Sequence, residues 1–454
     1  MQITWHSSAC VSIESNGTNI LFDPWLEAKA FLGSWAQWPP VEDTKNLVLE
    51  TRYDYIIYTH FHSDHFDSRF LSRYLRAMSR VGHIPTILVA ENSWNQLARS
   101  IINIAGDKAI VKSVQSGLKI DLNTHNFSLT LYCSDHCDPI LCGKSIPCFS
   151  NNPKFRSIDS VAVIQDEDNT VVNFNDAIFS NLDLYLQKIG IKADLVMGVF
   201  CEAGSWPQCH TGLASEEVGA IKTAFIENAL KKLAQAAECL RAKYIFPFGG
   251  QYILVGDLAK LNDNRAVLPV SNAKDKLRLL TDKNIVTLNP NESISLTGGD
   301  IYSQGSEYVE PSIKQRLQYL DEHSEIPYFF ERRNLESVNI KSLESGLQLA
   351  SRKLSKMYSE PLNYSILITD KSVGFRWQLN FGNDLTWGNE LARLEDYCEI
   401  TLDLRLLESC VKKTPGYGGF TSMHWNQAHI GSHLQFNQSK YNQSAHYLLN
   451  FLHT

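Results

Sequence analysis

No uninterrupted apolar run in the chain approaches the ~20 residues that a membrane-spanning helix needs, so no membrane span is expected. The opening MQITWHSSACVSIES has no basic start, no long apolar stretch and no small-residue cleavage site, so it is not a secretion signal. Without such a signal the ten cysteines are expected as reduced thiols in a cytoplasmic protein rather than as a disulfide framework. Excess positive charge is missing too. The net charge of -7 excludes the basic stripe of a nucleic-acid binder and the polybasic patch that anionic lipid attracts. Repeats and low-complexity tracts do not occur. Cys133, Cys137, Cys142 and Cys148 are separated by three, four and five residues, not by the paired two-residue gaps of a structural zinc site. No Cys-x-His pair occurs twice, so no Rieske iron–sulfur centre is encoded.

What remains is ordinary globular composition, 44% hydrophobic and 20% charged, in a chain of 454 residues, long enough for two or three domains. Ile3, Trp5 and the alternation Val11-Ser12-Ile13 predict a first strand, and Asn16-Gly17 a tight hairpin turn into Ile20-Leu21-Phe22. Tyr55 to Tyr58 is a short buried strand. Phe70, Leu71, Tyr74, Leu75 and Met78, three and four apart, predict a helix over 68–80. Further strands are expected at 86–90, 109–114, 127–132, 160–165, 170–174 and 243–248, and a long helix over 215–242. Strands alternating with helices over roughly 300 residues give an α/β layered domain. The Asn, Pro, Gly and Ser of 288–310 mark its boundary, a helical connector is expected over 301–345, and residues 346–454 read as a small α+β domain.

The segment His60-Phe61-His62-Ser63-Asp64-His65 places four potential metal ligands within six residues, directly after the strand ending at Tyr58. On the extended exit of a strand His60 and His62 project to the same side and can share an ion, while Asp64 and His65 reach a neighbouring one. Imidazole and carboxylate without thiolate suit zinc, iron or manganese. A surface loop rich in histidine by chance is the competing reading, and four ligands at this spacing after an apolar strand argue against it. Asp23, in Phe22-Asp23-Pro24-Trp25, either holds a ligand histidine by its far ring nitrogen or makes an Asp-Pro turn. His6, alone on its strand, reads as a structural residue.

The His-x-His-x-Asp-His run formed by His60, His62, Asp64 and His65 resembles the signature of the metallo-β-lactamase superfamily. The opening TWHSSACVSIESNGTNILFDPWL resembles its branch related to ascorbate-6-phosphate lactonase and CMP-N-acetylneuraminate hydroxylase. The resemblance covers about residues 1–260 and implies an αββα sandwich with two divalent metal ions at one edge of the sheets. It implies that His60, His62 and His136 hold the first ion, and that Asp64, His65 and Asp176 hold the second with Asp176 bridging. The closing histidine expected after the strand at 243–248 is missing, because Gly249, Gly250 and Gln251 stand there. Glu202 and His210 in CEAGSWPQCH are candidates for this gap, with a pocket loop or a surface turn as the alternative. Asp64 and His210 are the expected catalytic side chains.

His424, His429 and His433 have no neighbouring carboxylate and read as packing, with His429 and His433 on one helical face. Residues 346–454 weakly resemble a sterol-carrier-protein-like domain, which implies a small-molecule substrate with an apolar or acyl part. The expected activity is metal-dependent hydrolysis of an ester, thioester, lactone or phosphoester. A di-iron oxygenase fed by a separate electron donor is the alternative.

Overall fold

The computed structural model describes residues 1–91, 96–122, 126–133, 159–201, 203–357, 363–371, 374–381, 385–389, 391–411 and 425–439. Two large sheets occupy its amino-terminal two thirds. The first has eight strands, in the order Asp300–Gln304, Ser293–Thr297, Gln2–Ser7, Cys10–Ser15, Thr18–Phe22, Tyr55–Tyr58, Thr86–Ala90, Ile110–Val114. The second has seven, in the order Asn284–Ile285, Tyr244–Pro247, Leu195–Gly198, Thr170–Asn175, Ser160–Gln165, Ser128–Cys133, Lys119–Asp121.

Successive side chains on a strand face opposite ways, and the buried positions here follow that period. Ile20, Phe22, Ile57 and Leu88 enter the core between the sheets, together with Leu129, Val163 and Val172 of the second sheet. Their neighbours Leu21, Ile56, Tyr58, Ile87 and Val89 point outward to Phe70, Leu71, Tyr74, Leu75 and Met78 of helix Ser68–Arg80. Asp67 caps that helix, its carboxylate accepting the Arg69 and Phe70 amides at 3.1 and 3.0 Å. The second sheet is covered by helix Ser215–Cys239, which buries Ile226, Leu230, Leu233 and Ala237 at spacings of three and four. Helix, sheet, sheet and helix thus stack as an αββα sandwich.

Two expectations are corrected here. Ile3, Trp5 and Val11-Ser12-Ile13 form not one strand but an antiparallel pair, with Ile3 opposite Ile13, because Ser8 takes a left-handed turn at φ 44°. The polar stretch 288–310 is part of the sheet rather than a boundary after it. Gly298 and Gly299, at φ 57° and 74°, turn a hairpin whose strand Ser293–Thr297 pairs with the first strand of the chain.

Beyond helix Ile313–Glu322 lies an additional domain. Helix Ile340–Met357 precedes a five-stranded sheet in the order Leu385–Gly388, Arg376–Phe381, Tyr364–Asp370, Tyr397–Leu402, Gln435–Gln438. Helix Leu404–Val411 lies against it. This domain is not a bead on a string. Ile366, Trp377, Leu402 and Phe436 share one apolar core with Trp25, Phe31, Trp35 and Tyr252 of the first domain. Within the first domain Trp35 and Tyr252 stack with their centroids 3.4 Å apart, and through this shared core the loop that follows Asp23 lies against the added domain. The helix Trp425–Ile430 stops before His433, contrary to a shared face with His429, because Ser432 turns left-handed at φ 64°. Instead His433 Nε2 donates to the Phe31 carbonyl oxygen at 2.9 Å. His424 lies outside the described residues.

Candidate metal centre

Parallel strands Thr18–Phe22 and Tyr55–Tyr58 of one sheet, and Thr170–Asn175, Leu195–Gly198 and Tyr244–Pro247 of the other, all bring their carboxyl ends to one edge. Strand Ser160–Gln165 runs antiparallel to its neighbours, so its start lies at that same edge. Side chains just beyond these ends converge: Asp23, His60 to His65, Asp176, and Asp159.

Two overlapping groups result, each with its ligand atoms within 4.8 Å of one another: His60, His65 and Asp176, and His60, His62 and Asp159. His60 belongs to both. Its Nε2 lies 2.9 Å from His62 Nδ1, 3.7 Å from Asp176 and 3.8 Å from Asp159. Two nitrogens each about 2.0–2.1 Å from one ion would sit about 2.9–3.4 Å apart, so the observed pair suits joint ligation. His65 Nε2 is 3.5 Å from Asp176 and 3.6 Å from Asp64.

Asp23 sets which ring nitrogens face this centre. It is fully buried, and its carboxylate accepts the Thr59 amide at 2.8 Å, the Thr59 hydroxyl at 2.7 Å and the Asn175 side-chain amide. Its Oδ2 also lies 3.2 Å from His65 Nδ1. A carboxylate there requires a proton on Nδ1, which leaves His65 Nε2 turned to Asp176 and Asp64. Since the Thr59 hydroxyl spends its proton on Asp23, it accepts from His60 Nδ1, 3.1 Å away, and His60 Nε2 keeps a free lone pair. One carboxylate therefore orients two histidines, one directly and one through Thr59. Of the two readings of Asp23, the geometry selects the histidine-holding one.

The electrostatics of the cluster ask for a cation. Burial pushes the pKa of His60 down to about 3 and of His62 to about 4, with like-charge repulsion from His65 and His60 respectively adding to it, so both rings are neutral donors. Burial pushes Asp64 up to about 7 and Asp159 up to about 6, with Asp176 adding to each. His65 is the counterpart. Burial pulls its pKa down, but Asp176, Asp64 and Asp23 outweigh this and hold it well above the usual range. A proton on His65 Nε2 thus stands where a metal cation would serve the same carboxylates. Asp64 Oδ1, buried and with no hydrogen-bond partner among the described residues, is a further atom left for a ligand. The residues fit divalent metal, with neutral imidazoles and ionisable carboxylates and no thiolate.

Residues 2–128 match the family model described as the beta-lactamase superfamily domain. The first domain has a metallo-β-lactamase fold. Over 270 residues the chain is 27% identical to a protein of Mycolicibacterium smegmatis described as a Rieske 2Fe-2S iron-sulfur protein. That alignment covers 58% of this chain and 46% of the relative, so the chain spans about half the length of the curated relative it matches. Among solved structures, an isothiocyanate hydrolase from Delia radicum gut bacteria is 16% identical at a TM-score of 0.40, over 65% of this chain and 100% of that one. A candidate metal-dependent hydrolase of Veillonella parvula is 13% identical at 0.42, over 65% and 99%. CmlA beta-hydroxylase is 16% identical at 0.40, over 65% and 54%.

In this domain His60, His62, His65 and Asp176 come together, with Asp64 against His65. His136 and Glu202 lie outside the described residues. His210 is in neither ligand group. Its ring sits 3.8 Å from Trp206 and 4.9 Å from Phe436, and Gln438 Nε2 is 3.3 Å from its Nδ1, so it joins the first domain to the added one. His6 is structural, bonded to Asn291 and Ser12 at 3.1 and 2.9 Å. Asp159 was not anticipated. The available signal was an aspartate immediately before a strand antiparallel to both of its neighbours, which places it at the metal edge.

Gly249 and Gly250, at φ 77° and 72°, let the chain turn closely over strand end Leu195–Gly198. A Cβ on Gly250 would run into Cys201 Sγ. Gly250→Ala is therefore expected to destabilise by about 1–3 kcal/mol, from crowding and the disfavoured φ. A thermal melt unchanged from the parent would contradict this account of the turn.

Proposed function

We propose that the protein is a metal-dependent hydrolase acting on an ester, thioester, lactone or phosphoester of a small molecule. The observation that carries this reading is the closeness of the two ligand groups, His60, His62 and Asp159 beside His65 and Asp176 at one sheet edge, which suits a pair of adjacent ions. Such ions supply a nucleophile from water at neutral pH and polarise the oxygen under attack. The chain's own part is to hold them. His60, His62 and Asp159 would bind one, with His136 as a further candidate, and His65 and Asp176 the other. Asp64, with Oδ1 available beside His65, would orient the attacking water and take its proton. Gln251 stands where a closing histidine was expected and is buried, its Oε1 without a hydrogen-bond partner among the described residues.

A second reading, a di-iron oxygenase, is favoured by two observations. Three carboxylates among three imidazoles suit iron as well as zinc. The Mycolicibacterium relative carries an iron–sulfur name, which suits a reaction supplied with electrons. One experiment separates the two. The protein is purified without added metal, its metals and visible spectrum are measured, and turnover of an ester, thioester and lactone panel is followed with and without oxygen. Hydrolysis indifferent to oxygen is the expected result. Turnover that stops when oxygen is removed, in a protein carrying two irons, would overturn hydrolysis in favour of oxygenation.

A further inference from the structure

Lys29 lies in the loop that leads from Asp23 along the flank of the metal-ligand segment. Its ammonium nitrogen is screened from solvent and has no hydrogen-bond partner among the described residues. A buried ammonium without a counter-charge is costly, so a fold that keeps one provides for an anion or gives up the proton. The nearby carboxylates are already engaged. Asp67 accepts the Glu27 and Ala28 amides at 2.7 Å each and caps helix Ser68–Arg80 with its other oxygen. Glu27 faces Arg73 at 3.8 Å. Meanwhile Arg332 lies close enough to repel both Lys29 and Arg69, and His323 also feels the Lys29 charge. Burial and then Arg332 draw the Lys29 pKa down to about 8, as expected of a cation waiting for its counter-ion.

Lys29 borders a cavity of about 20 Å³ whose walls also include Leu32, Ser63, Phe66, Asp67, Phe329 and Gln427. A single water needs about 10–15 Å³ measured the same way, so the cavity admits only the tip of a small anion, and a planar carboxylate enters more easily than a tetrahedral phosphoryl group. Leu32, Phe66 and Phe329 make part of its wall apolar, which strengthens a charge interaction made against them. The cavity is also tied to the centre. Ser63, between His62 and Asp64, accepts the Phe31 amide at 2.8 Å, and the Phe31 ring is 5.9 Å from that of His62. We propose that Lys29, in the wall of this cavity, is a subsite for a carboxylate of the substrate. The natural substrate is then an acidic small molecule whose carboxylate sits beside the loop that carries the metal ligands. This assignment of substrate class rests on the hydrolase reading; the anion site itself does not.

The test titrates acetate by calorimetry into the protein as purified, His62→Ala, Lys29→Met and Lys29→Arg. Acetate is expected to bind the parent and His62→Ala alike, to bind Lys29→Met on the order of tenfold or more weakly, and to be rescued in Lys29→Arg. Binding lost in His62→Ala and kept in Lys29→Met would place the anion on the metals and overturn the proposal. Arg332→Gln gives a second, smaller loss should Lys29→Met fail to fold. In turnover, Lys29→Met should raise the ratio of KM for mono-4-nitrophenyl succinate to KM for 4-nitrophenyl acetate by on the order of tenfold, with the ratio of kcat values unmoved. Acetate binding lost with that KM ratio unchanged would make the ligand a free anion and overturn the substrate assignment. If neither ester is cleaved the hydrolase reading fails, while the acetate titration still decides the subsite.

Discussion

His62→Ala is expected to empty the metal centre and lower kcat/KM by on the order of 10³-fold or more, the scale seen when a group that stabilises the transition state is removed. The ring is half-buried and holds one of the two donors 2.9 Å apart on which the first ligand group depends. Alanine removes that donor and leaves Asp159 and His60 with too few partners for a divalent ion. Because His62 contributes little to the apolar cores, the metal-free variant should melt close to the metal-free parent. Elemental analysis alongside the rate makes the result decisive. Full metal content with full turnover would show that the centre lies elsewhere.

Asp23→Ala should damage stability and metal binding together. Thr59 N, Thr59 Oγ1, Asn175 Nδ2 and His65 Nδ1 all lose their acceptor, in a place fully closed to water. Uncompensated buried donors of this kind cost about 3–5 kcal/mol in total. With both histidines free to change tautomer, metal affinity should fall about 10–100-fold. Asp23→Asn is the informative partner. Its amide keeps the volume but offers one acceptor and turns an N–H toward groups that already donate. If the asparagine variant melted and bound metal like the parent, the orienting role of Asp23 would be wrong. Melting of the metal-free proteins and a metal titration supply both readouts.

Much of this was legible in the sequence because it is local. Strand Tyr55–Tyr58, helix Ser68–Arg80 and strand Thr86–Ala90 follow from side-chain period alone, and the ligands from His60 to His65 follow from spacing. The turn at Ser8 was misread because serine carries no strong sign of a left-handed backbone, unlike Asn16-Gly17. The hairpin at Gly298-Gly299 was misread for the opposite reason, since turn residues mark a reversal and the end of a domain alike. Asp159 was illegible because a lone aspartate acquires meaning only from strand order, which sets which chain ends share an edge. Lys29 was hidden similarly, its isolation being a property of the folded neighbourhood and not of KAFLG.

The pairing of Gln2–Ser7 with Ser293–Thr297 has a consequence for the order of assembly. During synthesis the first strand emerges nearly three hundred residues before its outer neighbour, and one rim of the sheet stays bare for that whole interval. Such distant pairing is slow to form, and an uncovered strand edge invites other chains. The opening hairpin through Ser8 and Asn16-Gly17 gives the early strands one another to pair with meanwhile. The nascent protein should therefore depend on chaperones until residue 304 has cleared the ribosome, and arrested chains shorter than that should aggregate.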